Sequence, residues 1–117
     1  VYGFTIRKFA LYGKDKMPPL IEHYGMLFEW HDPKLDEVYN KREITLDEVV
    51  SVFFDEYMVT NENEDNQNEQ QFITVGMSNK FRLLTVVWVQ RGEVARIVTS
   101  FKASSKHKRS YNHAKRH

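Results

Sequence analysis

The chain has 117 residues, 41% of them hydrophobic and 14% aromatic, which gives room for one folded core and excludes a disordered segment. It has no cysteine, so disulfides and thiolate metal sites are excluded and a reducing cytoplasm is the expected location. The formal net charge of +1 is unevenly divided: Lys102 to His117 holds six Lys/Arg and no acid, while residues 26–101 hold seven Lys/Arg against fourteen Asp/Glu. A basic end on an acidic body points to a polyanion contact or an acidic partner, with a solvated tail as the plain alternative.

In residues 1–25, Tyr2, Phe4 and Ile6 alternate as a strand would, and Met17-Pro18-Pro19 then breaks any regular element. Phe9-Ala10-Leu11-Tyr12 is shorter than the ~7–15-residue apolar stretch of a signal peptide. No apolar run approaches the ~20 residues of a membrane span, so no membrane partner is expected. Residues 1–25 are either an added strand or arm, or an extension outside the domain; the second is preferred, with the domain over 26–117.

Leu27-Phe28-Glu29-Trp30 forms a short strand. Asp32-Pro33 then starts a helix, since Asp accepts from free N–H groups and Pro at the first position loses no needed donor. Leu35, Val38 and Tyr39 carry that helix to Lys41 or Arg42. Thr45 and Glu48 have capping-box spacing, and Leu46, Val49, Val50, Phe53 and Phe54 make the apolar stripe of a second helix.

Glu56–Thr60 is a further strand candidate, and the wholly polar Asn61–Gln70 is expected to be a flexible loop. Phe72–Met77, Arg82–Gln90 and Val94–Phe101 follow as strands joined by Ser78-Asn79-Lys80 and Arg91-Gly92-Glu93. Ser104 or Ser105 caps a last helix reaching about His113. The order predicts an α+β fold, an antiparallel four- to five-stranded sheet with helices packed on one face.

Several of these segments, taken in order, resemble the BrnT family. The resemblance rests on Leu27-Phe28-Glu29-Trp30, Asp32-Pro33-Lys34, Lys41 and Ile44–Val49. It continues through Phe72-Ile73-Thr74-Val75-Gly76-Met77-Ser78, Arg82–Val87, Arg91-Gly92, Arg96-Ile97-Val98-Thr99, Lys102-Ala103 and Tyr111. It covers Met26 to about Tyr111 and leaves residues 1–25 without a counterpart. It implies a RelE-like fold and a cytosolic toxin that cleaves RNA. It also implies a BrnA-type antitoxin as partner, with operator DNA reached only through that antitoxin.

Metal-free RNA cleavage needs a group to take the 2′-OH proton, one to protonate the leaving 5′-oxygen, and cations around the phosphate. Lys34 and Lys41, seven apart, share a helix face and suit successive phosphates; two ordinary surface lysines is the alternative. Arg96 is a charge inside an apolar strand, which calls for a phosphate or an internal carboxylate. Lys41, Arg96 and His107 are the catalytic candidates; Lys34, Arg42, Arg82, Lys102 and Tyr111 are the RNA- or phosphate-binding candidates. Arg82 has a second reading as a strand-end charge, Tyr111 as a residue packed on the sheet, and His107 as one member of the basic tail.

Departures from the resemblance bear on catalysis. Arg42 stands where many family members have His; it clamps phosphate but cannot act as a base at physiological pH. Trp88 stands for a frequent His, Phe101 for an Arg and His107 for a frequent Glu. Imidazole as a group changes charge near neutral pH, which makes His107 a candidate substitute acid or base, with membership of the basic tail the preferred reading. No cofactor is expected, and no metal, because His23, His31, His107, His113 and His117 lack ligand spacing backed by an acidic cluster.

Overall fold

The computed structural model describes residues 5–7, 20–64 and 69–116. Tyr2, Phe4, Met17-Pro18-Pro19 and His117 lie outside the described residues, as do residues 65–68 of the polar segment. The elements are β1 (Thr5–Arg7), β2 (Leu20–His23), β3 (Met26–Trp30), α1 (Lys34–Lys41), α2 (Leu46–Val52), β4 (Val59–Asn63), β5 (Gln71–Met77), β6 (Leu83–Arg91), β7 (Val94–Lys102) and α3 (Ser105–Arg116).

Six strands from β2 to β7 form one sheet and β1 adds to its β2 edge, in the order β1-β2-β3-β7-β6-β5-β4. Two expectations are corrected here. The sheet is wider than four or five strands, because β2 and β3 form a hairpin through the two-residue turn Tyr24-Gly25, both at positive φ. Residues 20–23 therefore belong to the sheet, and Ile21 is in its core. The sheet is also mixed rather than antiparallel: β3 runs parallel to β7, with Phe28 opposite Ala95 and Trp30 opposite Ile97. Hairpins impose antiparallel pairing only on neighbours in sequence, and these two strands are not neighbours.

The strand β4 begins at Val59 and runs into the segment read as a loop. Asn61, Glu62 and Asn63 pair with Ile73, Phe72 and Gln71. Their polarity suits an edge strand, where charge discourages pairing with another chain.

The helices α1 and α2 form as the periodicity predicts. Asp32 Oδ1 accepts from the Lys34 N–H at 3.0 Å, and Thr45 Oγ1 from the Glu48 N–H at 3.2 Å. Both helices close one core, with Val49, Val50, Val52, Phe28, Trp30, Leu84, Val86 and Ile97 buried together. Burying each such side chain stabilises the fold by about 1.5–3 kcal/mol. Gly76 faces this side, because a Cβ there would lie 2.9 Å from Val52 Cγ1.

Helix α3 lies on the other face, which corrects the one-sided arrangement. Val75 alternates with Thr74 and Gly76, so it points away from α2, and it packs with Ala103 and Tyr111 in a second cluster. β7 carries an extra residue, Val98, where Val87 pairs with Thr99 and Trp88 with Ile97.

Candidate nucleic-acid interface

Arg82, at the start of β6, is committed to the interior. Its Nε donates to Glu48 Oε2 at 2.9 Å, and Nη2 donates to Glu48 Oε1 and, at 2.8 Å, to the Glu43 carbonyl. Ser78 Oγ donates to the same Glu48 carboxylate at 2.7 Å. Burial raises the Glu48 carboxyl, but hydrogen bonds from Arg82 and Ser78 and the charges of Arg82 and Lys80 outweigh it, holding Glu48 below the usual carboxylate range. Glu48 thus serves the β5–β6 turn rather than returning to Thr45 as a full capping box would.

On α1, Lys34 and Lys41 are exposed, and Lys41 Nζ lies 3.7 Å from Glu37 Oε1. Arg42 lies over the Tyr39 ring at 5.3 Å. Tyr39 itself stacks on Trp30, with centroids 4.8 Å apart, and its hydroxyl meets Thr99 Oγ1 at 2.5 Å. Lys102 pairs in register with Leu84, so it points to this α2 side at the exposed end of β7.

Arg96 is on the other face. Its neighbours Ala95 and Ile97 point into the α1–α2 core, so Arg96 and its register partner Glu29 point away. Arg96 Nε lies 3.5 Å from Glu29 Oε2, and the Arg96 side chain remains 37% exposed. The sheet therefore separates Lys41 from Arg96, and these two do not meet in one groove.

Arg96 shares its face with His107. His107 Nδ1 is 2.8 Å from Thr85 Oγ1, and Thr85 is fully buried. Thr85 and Val89, the register partner of Arg96, are four residues apart on β6, about 13 Å along the sheet. His107 opens on a groove of about 280 Å³ between α3 and β4, with Asn61, Glu62, Asn63, Glu64, Lys106 and Ser110 on its walls and Ile73 and Val75 beneath.

Along the outside of α3, Lys106, Arg109, His113 and Arg116 fall within an arc of about 80°, opposite the buried Tyr111. All four are exposed. Tyr111 is only 3% exposed and donates its hydroxyl to Asp55 Oδ2 at 2.7 Å.

The chemistry this face can perform is proton transfer at a fixed imidazole with Lys106 on the same groove, while Arg109, His113 and Arg116 lie on the outer side of the helix. Sequence reasoning found His107 but missed Thr85; the available clue was a lone hydroxyl inside the apolar run Leu83–Val89. It missed Asp55 and Glu48 as partners of Tyr111 and Arg82, because partners so distant in sequence leave no local pattern.

Among the described residues no group of three or more His, Asp or Glu is placed to hold a metal ion, and no helix is long and apolar enough to cross a membrane. Comparison with protein families matches residues 30–107 to the model described as the ribonuclease toxin, BrnT, of type II toxin–antitoxin systems. No curated protein matches the chain.

Proposed function

Since the chain belongs to the BrnT family of ribonuclease toxins of type II toxin–antitoxin systems, we propose that it is a metal-independent endoribonuclease held inactive by a BrnA-type antitoxin. The observation that carries this reading is the His107 imidazole, fixed by Thr85 at 2.8 Å in a groove that Lys106 also lines. The RNA 2′-OH attacks the adjacent phosphorus while His107 takes its proton, and the P–O5′ bond breaks as the 5′-oxygen takes a proton from solvent water. The products are a 2′,3′-cyclic phosphate and a 5′-hydroxyl.

Thr85 holds the ring through Nδ1 and leaves Nε2 for the proton transfer. Lys106, on the same groove, stabilises charge on the phosphate, and Arg96, about 13 Å along the same face, contacts a neighbouring phosphate. Lys34, Lys41, Arg42 and Lys102, on the opposite side of the sheet, contact phosphates away from the scissile bond. Operator DNA is reached only through the antitoxin, and the cytoplasm is where the RNA is met.

A second reading is a degenerate homologue that binds antitoxin and assists repression. The carboxylates already beside Arg96 and Lys41, at 3.5 and 3.7 Å, favour it. So does Trp88, which stands for the family's frequent His and whose indole N–H donates to Thr74 Oγ1 at 2.8 Å.

The test is induced expression without antitoxin, together with purified chain on labelled RNA in excess EDTA. Growth arrest and cyclic-phosphate products, both abolished in His107→Ala, support the enzyme. Normal growth and intact RNA, with tight antitoxin binding, support the degenerate module.

A further inference from the structure

Two aromatic residues stand where backbone and solvent both disfavour them. Tyr24 and Phe81 have φ of 50° and 59°, the left-handed region where Gly and Asn are the default. They are also the most exposed large hydrophobic side chains among the described residues, at 74% and 89%. An Asn at the first and a Gly at the second would relieve both penalties. Neither substitution is present.

Phe81 lines a groove to which Tyr24 is joined through Phe54. Phe54, at the end of the second helix's stripe, has its ring 6.0 Å from that of Tyr24. With Met77 and Phe81 it lines a largely apolar groove of about 370 Å³. A cavity of about 150 Å³ admits benzene, so this one has room for an aromatic side chain or a pair of aliphatic ones.

We propose that the Tyr24–Phe54–Phe81 surface is the seat of the antitoxin, which inserts an apolar side chain flanked by basic residues. The groove's lining includes one carboxylate, Asp55, and no Lys or Arg, a poor match for a phosphate backbone and a good one for a basic peptide. Over residues 26–101 the chain carries fourteen acids against seven bases. Family membership supplies a protein antitoxin as partner, and desolvated aromatic anchors dominate binding energy at such interfaces. The groove lies where the turn after α2 meets the β5–β6 turn, and His107 is not among its lining residues. The inference therefore rests on the family and not on the cleavage chemistry proposed above.

The test uses the full chain, Tyr24→Asn and Phe81→Gly, each titrated calorimetrically with the purified product of the small open reading frame abutting this gene. A labelled single-stranded RNA is titrated in parallel. The expected result is a Tm at or above the parent's, antitoxin affinity weakened about tenfold or more in each variant, and RNA affinity and cleavage unchanged. Unchanged antitoxin affinity overturns the proposal, as does a parent chain that does not bind that product. Weakened RNA binding with antitoxin binding intact overturns it in favour of a nucleobase platform. Lost affinity with a lower Tm assigns both residues to the fold and overturns it too.

Discussion

Tyr111 and Asp55 join the two sides of the sheet: the phenol on α3 donates at 2.7 Å to a carboxylate in the turn that follows α2. The same Asp55 Oδ2 accepts the Met77 N–H at 2.8 Å, and Oδ1 accepts the Tyr57 N–H at 3.2 Å. Burial, and then the Asp55 hydrogen bond and charge, raise the Tyr111 hydroxyl well above its ordinary range, so it stays a donor at any physiological pH. Tyr111→Phe keeps the ring and removes the donor. A loss of about 1–2 kcal/mol is expected, read as a lower urea midpoint with an unchanged slope.

The Glu48–Arg82 pair makes stability depend on acid. Glu48 is buried and its carboxyl is held below the usual range, so its contribution is complete above the unfolded-state value of about 4.3 and is lost as pH falls through the lower folded value. Arg82→Ala leaves the buried carboxylate without its cation and should cost about 3–5 kcal/mol near pH 7. The deficit should shrink as pH is lowered past about 4. Thermal melts from pH 3 to pH 7 check both statements.

Gly76 is fixed by space rather than by backbone angle. A methyl group there meets Val52 Cγ1 at 2.9 Å and the Val52 carbonyl oxygen at 3.0 Å. Gly76→Ala should therefore push α2 off the sheet and cost about 1–3 kcal/mol. A Gly76→Ala protein as stable as the parent would show that α2 shifts freely, contrary to its buried packing.

Glu29 competes for Arg96. Glu29→Gln removes the carboxylate 3.5 Å from Arg96 Nε and leaves a neutral residue of the same shape. RNA affinity should rise, with a steeper salt dependence as one more cation meets phosphate. Fluorescence anisotropy over a salt series checks this, and no change in slope would remove Arg96 from the RNA contacts.

What was legible in the sequence was whatever local pattern specifies. The stripe from Leu46 to Phe54 predicted α2 and its buried face, and Thr45 predicted its cap. The apolar runs and short turns gave β5, β6 and β7 and their antiparallel order. The ordered motifs gave the family. The strand expected over Glu56–Thr60 overlaps β4 only at Val59 and Thr60, and the polar half was not legible, because backbone pairing with β5 outweighs the poor strand propensity of Asn61 and Asn63. Nor was the placement of α3: β5 offers Gly76 to one layer and Val75 to the other, and alternation alone does not say which helix takes which. The site was legible as residue types but not as partners. His107 stood out, whereas Thr85, Glu29 and Asp55, which decide what His107, Arg96 and Tyr111 can do, are far from them in sequence.

The side-by-side run of β3 and β7 has a kinetic consequence. The meander from β4 to β7 closes through short connections, whereas Leu27 must find Val94 across most of the chain, an encounter with a higher loop-closure cost. Folding should thus begin in the meander and end with the docking of the early hairpin. Damage to Phe28 would then accelerate unfolding far more than it slows refolding, and the lifetime of the folded toxin would be set by how long that final strand stays in place.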